Sequence, residues 1–114
     1  MPNTDPNKTA IAAAEAIRKL NHATLNQTLP APAISSIAQA LVQLVERLPQ
    51  TLEQLGTQLR QRQAEGAIRM DTRENPAAAV AETTLALDDT VQHLADVSRS
   101  LHQAASPLFH MAAR

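Results

Sequence analysis

The stretch PAAAVAETTLALDDTVQHLADVSRSLHQAAS, residues 76–106, decides the fold. Val80, Leu87, Leu94, Leu101 and, just beyond, Leu108 recur every seven residues. Thr84, Val91, Ser98 and Ala105 fall between them. This 4-3 alternation over four heptads is the pattern of a helix that lays one seam against a neighbour. Asn75 followed by Pro76 starts it, with a side-chain acceptor at the cap and a fixed φ in the first turn. Pro107 ends or kinks it, since proline has no N–H for the carbonyl four residues back. Such a rod, about 45 Å long at 1.5 Å per residue, is not stable alone in water.

Its partner lies upstream. Ile34, Ile37, Ala38, Leu41, Leu44, Val45 and Leu48 share one helical face, and Ile34, Leu41, Leu48 and Leu55 are spaced by seven. Pro49 interrupts this run without shifting its phase. The spacing leaves two readings: one rod over about 32–65 kinked at Pro49, or two helices joined at Leu48-Pro49. A true turn needs about 2–8 residues, and none are spare, which favours the single rod. Gly66 supplies a C-terminal cap, and residues 66–75 form a polar connection long enough to fold the two rods back antiparallel. A shorter first helix, about 6–24, starts at Asp5-Pro6 after a frayed lead-in over residues 1–5. Its ion pair is expected between Glu15 and Lys19, four residues apart.

The expected architecture is all-α, one domain of 114 residues: an antiparallel hairpin of two long helices plus a shorter N-terminal helix. That plan gives a left-handed three-helix bundle, or two hairpins pairing into a four-helix dimer. Small residues flank the leucine row of the last helix, Thr83, Thr90, Val97 and Ala104 on one side and Ala81 and Ala95 on the other. They predict room for two neighbours rather than one. The first helix covers only about half the rods, so a homodimer is favoured over a monomer.

Composition agrees and excludes much. The chain has 22 Ala and 14 Leu, no Cys, no Trp, no Tyr and a single Phe109. Thiol catalysis, thiolate zinc, disulfides and aromatic stacking platforms are absent. Two glycines cannot build a phosphate loop. A net charge of −1 gives no overall pull on nucleic acid or anionic lipid. No apolar run reaches the ~18 residues of a membrane span and no signal peptide is legible, so the expected location is cytoplasmic.

The polar residues form no evident chemical site. His22, His93, His102 and His110 lack metal spacing. His22 is expected to serve the last carbonyls of the first helix, and His93 to pair with Asp89. Asp88 and Asp89 point about 100° apart and cannot share a proton, and Asp88 reads as a partner for an arginine or a hydroxyl. No catalytic residue, metal ligand or cofactor site is predicted. Arg60, Arg62, Arg69 and Arg73 cluster at the tip of the hairpin, where they could meet phosphate, but Glu65, Asp71 and Glu74 leave an excess of only one charge.

The segment Glu15-Ala16-Ile17-Arg18-Lys19-Leu20-Asn21-His22-Ala23-Thr24, with Leu48-Pro49 downstream, resembles small Ala/Leu-rich all-helical proteins of actinobacteria. That resemblance implies the helical plan and brings no activity with it. In plan the hairpin is also similar to the secreted helical-hairpin proteins whose connection carries Trp-X-Gly, but this chain has no Trp. The function expected from the residues is a non-enzymatic interaction or oligomerisation module. It would act through Ile34, Ile37, Leu41 and Leu48 and through Leu87, Leu94, Leu101 and Leu108, binding a second copy or a partner helix. The alternative is a small nucleic-acid accessory or regulatory protein that uses the Arg60–Arg73 tip.

Overall fold

In the computed structural model, which describes residues 5–112, the chain is all-α. Helix α1 spans Pro6–Asn26, α2 Ala31–Ala64 and α3 Pro76–Ala105, and a 3-10 turn over Ser106–His110 closes the described chain. Residues 1–4 of the expected lead-in lie outside the described residues.

The helix ends follow from local chemistry. The Asp5 carboxylate accepts from the N–H of Asn7 at 3.0 Å and of Lys8 at 3.5 Å. Asn75 does the same for the Ala77 N–H at 2.8 Å. At the end of α2, Gly66 takes φ +70, the N–H of Ala67 donates to the Arg62 carbonyl at 2.9 Å, and that of Gly66 to Gln63 at 3.0 Å. This is the glycine-terminated helix stop in which two otherwise orphaned carbonyls are satisfied. Helix α1 runs two residues past its expected end. Thr24 donates to the carbonyls of Leu20 and Asn21, and the Asn26 amide donates to that of His22. These side chains, rather than the His22 imidazole, satisfy the last turn. The ion pair on α1 joins Glu15 to Arg18, with Arg18 Nε 2.8 Å from the carboxylate, and not to Lys19.

Pro49 lies inside α2, which continues as one helix to Ala64. The rod reading therefore describes the chain, and the alternative of two helices meeting at Leu48-Pro49 does not. The in-phase apolar pattern on both sides lets packing hold the helix together across the missing N–H.

Helices α2 and α3 pack along their length, and the 3-10 turn packs on both. Their antiparallel register is marked by two flanking pairs, Glu46 with His102 and Arg60 with Asp88. Residues 46 and 60 on α2 and 88 and 102 on α3 stand the same fourteen positions apart. On α3 the seam is the predicted one. Val80, Thr84 and Ala105 are buried, Leu87, Val91, Leu94, Ser98 and Leu101 half-buried, and Leu108 follows half-buried on the 3-10 turn.

On α2 the seam keeps Ala38 and Val45 of the expected face, but Ser35, Val42 and Gly56 take its buried positions beside Ile34, Leu41 and Leu55. Ser35, Val42 and Gly56 are buried, and Ala38, Val45, Pro49, Leu52, Leu59 and Gln63 half-buried, in the same 3-4 alternation. Ile34 and Leu48, expected in the core or at an interface, are 43% and 39% exposed. The reason is steric. Serine, valine and glycine let the two backbones approach, whereas a leucine in each of those places would hold them apart. A Cβ built on Gly56 would stand 3.7 Å from Leu87 Cδ1 and 4.0 Å from Thr84 Cγ2.

The flanks of α3 carry no second neighbour. Ala81, Thr83, Thr90, Ala95, Val97 and Ala104 are all exposed. Helix α1 does not close the expected third side, since it has no buried residue and none of its Cα atoms lies within 8 Å of another helix.

The packing at Gly56 predicts that Gly56→Ala stabilises the chain. The added methyl enters ordinary van der Waals contact, and alanine is favoured over glycine inside a helix by about 0.5–1 kcal/mol. Gly66→Ala is expected to cost about 1 kcal/mol, because its positive φ strains any L side chain. Urea unfolding followed by circular dichroism measures both.

Candidate apolar groove between α1 and α2

The row displaced from the α2–α3 seam faces another way. Leu44 and Leu48 form one wall of an open groove of about 640 Å³, and Ala10, Ala13, Ala14 and Ile17 of α1 form the other. Pro6, Thr9, Thr51 and Gln54 complete its lining. The groove exists because α1 stands off from α2. Alanines on the α1 wall present little bulk, so the gap is not a matter of large side chains propping the helices apart. Helices in ordinary contact lie 8–10 Å apart axis to axis, a spacing at which Cα atoms come within 8 Å of one another. Here none do.

None of the ten lining residues is ionisable. The groove presents apolar area edged by hydroxyl and amide groups. On α2 the row continues past the groove in both directions, to Ile34 and to Leu55, which is 55% exposed. Ile37 and Leu41 are half-buried on the same side.

The other candidate residues are distributed as follows. Leu87, Leu94 and Leu101 lie half-buried on the α2–α3 seam, Leu108 lies half-buried on the 3-10 turn, and none is part of the groove. Arg60 stands 3.7 Å from Asp88, and Arg62 stands 3.0 Å from Glu65. Two of the four tip arginines thus already face carboxylates. Arg69 and Arg73 are exposed on the connection. Asp88 has the arginine partner its position suggested, and Asp89 lies 3.7 Å from His93. His22 meets the Asn26 side-chain amide at 3.1 Å.

The Glu46–His102 pair joins residues 56 positions apart and could not be read from local spacing. With Val42 and Phe109 these two residues border a shallow pocket of about 230 Å³ under the 3-10 turn. Among the described residues, no three His, Asp or Glu side chains come together as a metal site would require. No helix there is long and apolar enough to cross a membrane. The chain matches no known protein family, no curated protein and no solved structure.

The division between seam and groove predicts unequal costs for similar truncations. Leu87→Ala, which removes a leucine in contact range of Gly56, is expected to lower stability by about 2 kcal/mol or more. Leu48→Ala, on the open side, is expected to cost less than about 1 kcal/mol in the dilute chain. Thermal denaturation of the two variants side by side checks the ordering.

Proposed function

We propose that this protein is a non-enzymatic helical interaction module whose working surface is the α1–α2 groove and the leucine row that runs through it. The observation that carries this reading is the stand-off of α1. A 21-residue helix is held beside a row of leucines with about 640 Å³ left unfilled between them. Exposed contiguous apolar surface is a liability unless something covers it. An apolar helix face laid in such a groove gains by burying area, roughly 25 cal/mol for each Å² removed from water. The uncharged walls suit an apolar occupant, because no lining charge would be stripped of water when it arrives.

The roles divide between the two leucine sets. The seam leucines of α3 hold the hairpin rigid, and Leu44, Leu48 and their row on α2 meet the partner. A groove built on helices keeps its shape better than one built on loops. The phosphate reading of the Arg60–Arg73 tip has weaker support, because Arg60 and Arg62 lie beside carboxylates and a bound phosphate would compete with both.

Two measurements test the proposal. A photo-crosslinking residue placed at Ala13 or Leu48 in the native host is expected to capture protein, and one placed at Glu82 on the exposed side of α3 is not. Equal labelling at all three sites, or none at any, would refute the reading. In a gel-shift assay at low salt, the wild-type chain is expected to leave duplex DNA and single-stranded RNA unretarded. Retention that Arg69→Ala and Arg73→Ala abolish would favour the tip instead.

A further inference from the structure

We infer that the occupant of the α1–α2 groove is a second copy of this chain, apposed through the same face to make a two-fold dimer. The inference rests on the interaction reading above and names its partner. Three observations favour a second copy over a foreign helix.

The first is area. The chain exposes 9016 Å², whereas a compact monomer of its mass, 12.3 kDa, exposes about 6,100 Å² by the usual scaling. The radius of gyration is 18.9 Å, against about 13 Å for a compact chain of this length. An elongated hairpin accounts for part of the surplus of about 2,900 Å². Half of it would still leave about 1,450 Å² per copy, within the range that obligate homodimers bury. It exceeds the roughly 800 Å² per partner of an ordinary interface.

The second is the thinness of the core. Among the described residues the buried apolar side chains are those of Val42, Val80 and Ala105, and no large side chain is fully buried. One hairpin therefore cannot bury its own leucines. Two hairpins joined through the α1–α2 faces enclose Leu44 and Leu48 between four helices.

The third is charge and length. The groove walls are neutral and the whole chain carries −1, so two copies meet with little repulsion. The row from Ile34 to Leu55 spans 21 steps of α2, about 32 Å. An isologous pair meets the full length of that row with the same row or with α1, whose 21 residues have the same length.

Sedimentation of the purified full-length chain tests this. The expected mass is about twice 12.3 kDa. Leu48→Glu and Ala13→Glu, both within the groove, are expected to weaken dimerisation at least tenfold while the helical circular dichroism signal holds. Leu85→Glu, at a site 69% exposed on α3, is expected to remain dimeric. The chain has no cysteine, so a single Cys at position 13 or 85 takes one spin label each, and the distance between labels in the two copies should be the shorter from position 13. That readout decides the case if the glutamate variants lose helicity.

A 12.3 kDa species up to about 1 mM overturns the inference. So does a folded Leu48→Glu chain that still dimerises, or a shorter distance from position 85. If the chain is monomeric yet cross-links another protein through Ala13, only the second copy is refuted. If it is monomeric and cross-links nothing, the interaction reading fails with it.

Discussion

The close approach of α2 and α3 governs this molecule. It is set by small side chains, not large ones. Ser35, Val42 and Gly56 are the buried residues of α2, and Gly56 lies under Leu87 and Thr84 of α3. Where glycine replaces a branched side chain, the opposing leucine can reach the helix backbone and make many weak dispersion contacts. The consequence runs through the whole fold. A seam whose buried α2 positions are Ser35, Val42 and Gly56 leaves Leu44, Leu48 and Leu55 on another side. Those leucines are left facing the open groove beside α1.

Charge decorates this arrangement without directing it. Arg60 with Asp88 and Glu46 with His102 flank the seam at its two ends, and every member is about half exposed or more. Pairs of that kind contribute up to about 1 kcal/mol each, so they adjust the register that the apolar rows impose. The polar residues inside the seam follow the same logic. Thr84 turns its hydroxyl to the Ala81 carbonyl at 3.1 Å, which satisfies the group locally and leaves its methyl for packing. Gln63, at the connection end, buries its side-chain carbonyl oxygen without a partner. A lone acceptor there is a cost of order 1–3 kcal/mol that an apolar side chain would avoid.

Much of this was legible in the residues, and the reason lies in periodicity. The α3 seam needs only one neighbour, so its heptads name it directly from Val80 to Leu108. Caps were equally readable, because Asp5-Pro6, Asn75-Pro76 and Gly66 act on backbone groups within three or four residues of themselves. On α2 the periodic signal is ambiguous. Two heptad rows lie side by side there, one leucine-rich and one mixed, and hydrophobicity alone ranks Ile34 and Leu48 above Ser35 and Gly56. The signal that separates them is size: a row holding Ser35, Val42 and Gly56 is the one that can approach another helix. Position along the chain also hid the stand-off of α1. Its alanine-rich face has the spacing of a packed helix, but whether alanines meet a neighbour depends on the link at residues 27–30 and on what else competes for the leucines of α2.

The groove follows from a mismatch between these levels. Helix α1 has a face whose small residues would allow the tightest packing in the molecule, and α2 offers leucines to receive it, yet the two remain apart. A gap that water fills beside leucines is unfavourable in proportion to the area left wet. Closing it within one chain would bring alanine methyls against Leu44 and Leu48, and alanine contributes little area for each contact. A larger apolar side chain arriving from outside would bury more of the same leucines. What α1 fails to cover on Leu44 and Leu48 is apolar area left open to solvent.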